Sequence, residues 1–141
     1  MKRHASAQWN GDLKTGKGTV STQSGVLSQT QYSFTTRFEN GNGTNPEELI
    51  AAAHAGCFTM ALSAQLGAAN LVADQLATTA TVTMEKLDAG WTVTGIHLDV
   101  KGRVPKADAA AWEKATTAAK TGCPISRLLN TTITMETKLE S

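Results

Sequence analysis

The sequence predicts an α+β fold with mostly antiparallel sheet. Three observations carry that expectation. Short alternating segments punctuated by Gly and Asn fill the first third of the chain. A strong helix start then leads into residues 49–66, LIAAAHAGCFTMALSAQL, a stretch without a single charge. The strand-like segments that follow do not alternate regularly with helices, as a βαβ array would require. The chain has 141 residues, with no linker, low-complexity run or internal repeat, and residues 1–141 are expected to form one domain.

The elements follow in order. Glycines and asparagines mark turns at residues 10–11, 16–18, 25 and 40–43. A strand is predicted over residues 31–39, because Tyr32, Phe34, Thr36 and Phe38 alternate with Ser33, Thr35, Arg37 and Glu39. Arg37 then points away from the aromatic face. In Thr44-Asn45-Pro46-Glu47-Glu48, Asn45 suits an N-cap and Pro46 the first helical position. Two glutamates there complement the helix dipole. This helix should run to about Gly67. Being apolar almost all round, it should be buried on most sides. A hairpin comes next, with a strand at residues 79–86, a turn at 87–90 and a return strand at 91–104. The apolar phase of the return strand slips at Gly95, which predicts a β-bulge. Asp108 caps a second helix through Lys120, ended by Gly122. Cys123-Pro124 opens a short third helix, residues 125–129, and a last strand occupies residues 131–139.

Charge and composition exclude several classes. The formal net charge is +1 with both signs interspersed, so there is no electrostatic footprint for nucleic acid or an anionic membrane. The basic N-terminal residues have no apolar run behind them, unlike a secretory signal. The stretch 49–66 is Ala-rich and contains His54, Thr59, Ser63 and Gln65, unlike a lipid-facing helix. A soluble cytoplasmic protein is expected, in which two cysteines are reduced, catalytic or incidental. The apolar fraction of 40%, with only 5% aromatic, gives a modest core that oligomerisation can extend.

Motifs narrow the chemistry. Residues 11–18, GDLKTGKG, approach the G-x-x-x-x-G-K-S/T phosphate loop. Gly18 stands where the hydroxyl belongs, and a strand rather than a helix follows. His54 and Cys57 share a helical face at the spacing of zinc ligands, but nothing obvious completes the set, and a core histidine is the commoner fate. The two thiols remain. Cys57 lies deep in its helix, where burial opposes ionisation and the dipole is far away, so a cation would have to activate it. Cys123 starts a helix ahead of Pro124, and local physics nominates it as the more acidic thiol. The plain alternative makes Cys57 an inert core residue and Cys123 a cap.

At these residues the chain resembles a known family. GTNPEELIAAAHAGCFTMAL (residues 43–62) resembles the signature helix of the OsmC/Ohr family of thiol peroxidases, and TGCPISRLL (121–129) its second cysteine motif. WNGDLKTGKGTVSTQSGVL (9–27) is similar to the OsmC branch rather than the Ohr branch. The resemblance implies an OsmC-like fold, with mostly antiparallel sheets around a long central helix in an intertwined homodimer. It implies a peroxidase that reduces organic hydroperoxides, and hydrogen peroxide less well, with no metal or other cofactor. Cys57 is then the peroxidatic thiol, against the local nomination, and Cys123 resolves its sulfenic acid as a Cys57–Cys123 disulfide. Arg37 is the activating cation, and Glu47 orients it. A thiol reductant, on family analogy a lipoyl dithiol, reopens the disulfide. Only the motif selects Glu47 over Glu48. Phe58, Met60 and Ile125 are candidate apolar surroundings for an alkyl peroxide.

Helix geometry adds an expectation of its own. Glu47 and Cys57 are ten residues apart on one predicted helix, which is about 15 Å of axial rise. An antiparallel second copy of the helix would bring its Glu47 beside Cys57. Composite sites are therefore expected, taking Cys57 and Cys123 from one chain and Arg37 and Glu47 from the other. The competing readings are a non-enzymatic binding dimer and a redox sensor of the same fold.

Overall fold

Gly18 organises the first sheet. It pairs with Trp9 on one neighbouring strand and with Tyr32 on the other. The two rings close over it at 5.5 Å between centroids, and a Cβ at this position would run into both. This is the glycine that spoils the phosphate-loop pattern, and the packing of the rings accounts for it. The structure, a computed structural model, describes residues 1–141. It divides into two compact units, Met1–Leu49 and Ile50–Ser141.

The first unit holds β1 (Ala5–Asn10), β2 (Lys17–Thr22) and β3 (Thr30–Tyr32), an antiparallel sheet in that order. The segment between β1 and β2 is a hairpin connection. The Asp12 carboxylate accepts from the backbone N–H groups of Lys14 and Thr15, and the Gly16 N–H donates to the Asp12 carbonyl. These bonds hold the Asp12 carboxyl below its ordinary range, the Thr15 hydroxyl contributing most.

The predicted strand over 31–39 is not what forms. After β3 the chain turns at Ser33 into a short helix, α1 (Phe34–Phe38), and Arg37 lies on that helix. Ser33 and Thr36 form a reciprocal capping box: Thr36 N–H donates to Ser33 Oγ, and Ser33 N–H donates to Thr36 Oγ1. The alternating pattern misleads because residues four apart share a face in both periodicities. Phe34 and Phe38 use the helical one, with ring centroids 4.8 Å apart.

Helix α2 (Pro46–Ala68) begins as the sequence predicts, with Glu48 N–H donating to Asn45 Oδ1 at 2.8 Å. It is the one helix long and apolar enough, by length and composition, to cross a membrane. Burial on most sides is not met in the single chain. His54, Phe58, Leu62 and Leu66 form one buried stripe four residues apart. Ala53, Gly56, Met60 and Gly67 on another face are exposed.

The second sheet has the order β4-β5-β6. β4 (Gln75–Leu87) and β5 (Gly90–Arg103) form the predicted hairpin, and Gly90 takes a positive φ of 113° at its turn. The register shifts where Thr83 pairs with Gly95 and Met84 with Val93, leaving Thr94 as the extra residue of a bulge beside Gly95. The last strand, β6 (Thr132–Glu140), runs parallel to β5. A parallel neighbour needs a crossover, and α3 (Ala109–Gly122) and α4 (Pro124–Leu128) supply it. Asp108 caps α3 by accepting from Ala111 N–H at 2.7 Å. The α+β class and the mostly antiparallel pairing stand, and the parallel edge is an addition.

The core of this unit joins three layers. Phe58, Leu62 and Leu66 of α2 meet Ile96, Leu98 and Val100 of β5 and Trp112, Ala115 and Ala119 of α3. Gly102 on β5 lies against the Trp112 ring, and a Cβ there would collide with it. Cys123 is fully buried in the same cluster.

Candidate active site

Two pairs of side chains emerge, one in each unit. In the first, Arg37 and Glu47 meet as a forked ion pair. Arg37 Nε donates to both carboxylate oxygens at 3.0 and 3.2 Å, and Nη2 donates to Oε1 at 2.8 Å. This bidentate arrangement fixes the guanidinium plane as well as its position. The guanidinium also lies over the Phe38 ring, 5.4 Å from its centroid. Glu48 is engaged elsewhere, accepting from Thr44 Oγ1 at 2.6 Å. The sequence offered both glutamates, and the local folding separates them. Asn45 helps by capping α2 with its carbonyl while its amide donates to the Thr36 carbonyl at 3.1 Å, tying the end of α1 to the start of α2.

In the second unit, Cys57 and Cys123 come together. Cys57 sits mid-helix on α2 and is half-buried, while Cys123 occupies the junction of α3 and α4 and is wholly buried. Their sulfurs lie 2.9 Å apart. That is a thiol–thiol hydrogen-bond contact, well beyond the roughly 2.05 Å of a disulfide. Cys123 is held from both sides: its N–H donates to the Ala119 carbonyl at 2.9 Å, and its carbonyl accepts from Arg127 N–H at 3.0 Å.

The two thiols are electrostatically unequal. Burial pushes Cys57 up, its neighbour Cys123 pushes it further, and the Ile125 N–H only partly offsets this. Burial also pushes Cys123 up. There the hydrogen bond with Cys57, the Ser126 N–H and hydroxyl, and the Ile125 N–H outweigh it, and the net direction is down. Cys123 makes no capping side-chain hydrogen bond at the start of α4. The groups at the start of α4 thus favour charge on Cys123, and Cys57 still needs a cation.

Two features of this site were not legible beforehand. Ser126 is one, since nothing in its motif sets it apart from any helix-start serine. The other is the partner of His54, which is fully buried, as the core reading of this histidine expects, with Nε2 2.7 Å from Ser126 Oγ. Burial pushes its imidazole below the ordinary histidine range. No group of three or more His, Cys, Asp or Glu side chains is arranged to hold a metal. Of the candidate apolar surroundings, Phe58 belongs to the closed core, Met60 is exposed, and Ile125 is partly buried against the core.

A family model described as OsmC-like protein matches residues 39–138. The chain is 50% identical over 141 residues to Peroxiredoxin OsmC of Escherichia coli (strain K12), covering 100% of this chain and 99% of that protein. The same identity and coverage hold for Peroxiredoxin OsmC of Shigella flexneri. Among solved structures, the organic hydroperoxide resistance protein OhrB of Bacillus subtilis matches with a TM-score of 0.74 and 25% identity, over 96% of this chain and 98% of that one. An OsmC-like protein of Vibrio cholerae shares the fold, with a TM-score of 0.80 at 17% identity, over 98% and 99% of the two chains. The chain belongs to the OsmC-like protein family.

Proposed function

We propose that this protein is a cysteine-based peroxidase acting on organic hydroperoxides. The observation that carries the reading is the sulfur pair: a partly accessible Cys57 with a buried Cys123 2.9 Å behind it. Half-identity along the whole chain to proteins named peroxiredoxin supports the activity. Likeness to an organic hydroperoxide resistance protein supports the substrate class.

The chemistry runs in three balanced steps. The Cys57 thiolate attacks the terminal peroxide oxygen, the O–O bond breaks, and the alkoxide takes a proton to leave as alcohol. Cys57 is now a sulfenic acid. Cys123 attacks that sulfur, the S–S bond forms, and hydroxide leaves and is protonated to water. An external dithiol, with a lipoyl group as the family-based candidate, then exchanges with the disulfide. It returns both cysteines to thiols and is itself oxidised.

Arg37 supplies the cation that Cys57 lacks, and Glu47 holds the guanidinium by its fork. A guanidinium keeps its charge at any working pH and offers several donors to thiolate, peroxide and alkoxide. The pair comes from a second copy of the chain. Glu47 and Cys57 are ten residues apart on α2, about 15 Å of rise, which an antiparallel partner helix resolves. The exposed stripe of α2 supports that partner: it carries no charge, and the surface at Gly56 is open. Each site of the homodimer then joins Cys57 and Cys123 of one chain to Arg37 and Glu47 of the other. A cytoplasmic location fits two cysteines that work between thiol and disulfide.

Steady-state assays with cumene hydroperoxide and hydrogen peroxide, recycled by a dithiol, test the reading. It expects a higher kcat/KM for the alkyl peroxide, with Cys57 and Cys123 both required. No turnover with either peroxide would leave a non-enzymatic binding or sensing dimer of the same fold.

A further inference from the structure

The peroxidase chemistry leaves one buried titratable group unused. His54 has no solvent exposure and lies one turn before Cys57 on α2. Its Nε2 is 2.7 Å from Ser126 Oγ, and its Nδ1 has no partner. Ser126 stands three residues after Cys123 in the first turn of α4, where its hydroxyl and N–H favour charge on the Cys123 sulfur, itself 2.9 Å from Cys57. Two close pairs, His54–Ser126 and Cys57–Cys123, thus meet at the start of α4 within one unit.

We propose that His54 and Ser126 are positioning residues for the second step, a relay that aims a hydroxyl hydrogen at Cys123 and holds its sulfur ready to attack the Cys57 sulfenic acid. The proposal rests on the peroxidase reading and assigns a task to side chains that reading does not use.

The direction of the relay follows from the orphaned nitrogen. Burial keeps the imidazole neutral, so it has one N–H. A hydrogen on Nδ1 would leave a buried donor without a partner, the rarer and costlier defect. A hydrogen on Nε2 instead donates to Ser126 Oγ. With that oxygen's acceptor role taken by His54, the Ser126 hydrogen is free for Cys123. A buried histidine among Phe58, Leu62 and Leu66 is an expensive substitute for an apolar residue, and this single donated bond is what it supplies.

The relay matters most after the first step. In the reduced protein the Cys57 thiol favours the Cys123 anion. Once Cys57 carries oxygen, that contribution is lost, and the Ser126 hydroxyl with the Ile125 and Ser126 N–H groups is what remains to favour the Cys123 anion. In the step itself the S–S bond forms, the S–OH bond of Cys57 breaks, and the proton given up by Cys123 joins the departing hydroxide as water. The sulfenic acid is the oxidant, so no other co-reactant is needed.

Single-turnover kinetics on the full-length protein separate the two steps. Cumene hydroperoxide is added at one equivalent. Sulfenic acid is trapped with dimedone and disulfide is counted by mass spectrometry over time. Ser126→Ala and His54→Phe are expected to form sulfenic acid at the wild-type rate but to close the disulfide at least about tenfold more slowly, the scale of one hydrogen bond to a charged group. Dimedone-labelled Cys57 accumulates in both. Ser126→Thr keeps the hydroxyl and His54→Gln keeps an N–H near the Nε2 position, so both should close within about threefold of wild type. Equal slowing of both steps, or no slowing of closure in Ser126→Ala and His54→Phe, overturns the relay while the peroxidase reading stands. A wild-type protein that forms sulfenic acid but never closes the disulfide overturns the relay and the resolving role of Cys123 together. One that forms neither overturns the peroxidase reading and the relay with it.

Discussion

Cys123 Sγ lies 2.9 Å from Cys57 Sγ although 66 residues of sequence separate them. The contact is made by the core. Phe58 beside Cys57 and Ala119 one turn before Cys123 pack in one cluster with Leu98 and Val100 of β5. The two sulfurs are held together by the packing of α2, β5 and α3, so the pair is pre-positioned for a bond that peroxide oxidation would create.

The division of labour between the thiols gives the first prediction. Cys57→Ser should abolish peroxide consumption. Cys123→Ser should still consume one equivalent of peroxide per chain and stop there, with Cys57 trapped by dimedone as sulfenic acid. Peroxide consumption per chain and the mass of the dimedone adduct check both outcomes.

The forked ion pair distinguishes two adjacent glutamates. Glu47→Gln removes the charge that holds Arg37 and should lower kcat/KM with an alkyl peroxide by roughly ten- to a hundredfold, the range for loss of a charge-assisted bond in a site. Glu48→Gln alters only the partner of Thr44 and should stay within about threefold. Arg37→Lys keeps the charge and loses the fork, so it should fall close to Glu47→Gln. Steady-state kinetics of the three variants decide it.

The open face of α2 predicts assembly. A side chain at Gly56 meets nothing within the chain. Gly56→Glu should therefore leave the single chain folded, even gaining helix propensity. A charge on this stripe should split the dimer and remove activity. Sedimentation velocity and circular dichroism on the same sample measure assembly and folding separately. A mixed dimer of Cys57→Ser and Arg37→Ala chains should recover one working site if the residues are shared as proposed. A fully inactive hybrid would count against sharing.

His54 makes stability depend on pH in a defined direction. Its folded value lies below the ordinary histidine value, and the unfolded chain titrates near 6.5. Between those two values the unfolded state binds more protons, so stability falls as pH drops through this window and is fully present above it. His54→Gln should remove that part of the acid-side loss. Urea midpoints for both proteins at about pH 5 and pH 7.5 compare the slopes.

Much of this was legible in the sequence, for identifiable reasons. Asn45-Pro46-Glu47-Glu48 carries its cap, first-turn proline and acidic residues in order, and α2 begins there. The slip at Gly95 announced the bulge that places Thr94 out of register. The alternation of Phe34, Thr36 and Phe38 predicts a strand that would carry Arg37. The Ser33–Thr36 capping box, which uses Thr where Glu or Gln is usual, turned the segment into a helix. The parallel pairing of β6 with β5 has no signal in β6 itself, whose alternation suits either direction. The helix start at Cys123 marks it as the more acidic thiol, and its shift is downward where that of Cys57 is upward. Ser126 and His54 could not be linked from sequence, because 72 residues separate them and only the fold brings them to 2.7 Å.

The most direct test counts free thiols in the wild-type protein before and after one equivalent of cumene hydroperoxide per chain. The account predicts the loss of both thiols and a peptide map showing Cys57 joined to Cys123 within one chain. Two thiols still titrating after the peroxide has been added, with the peroxide unconsumed, would contradict it.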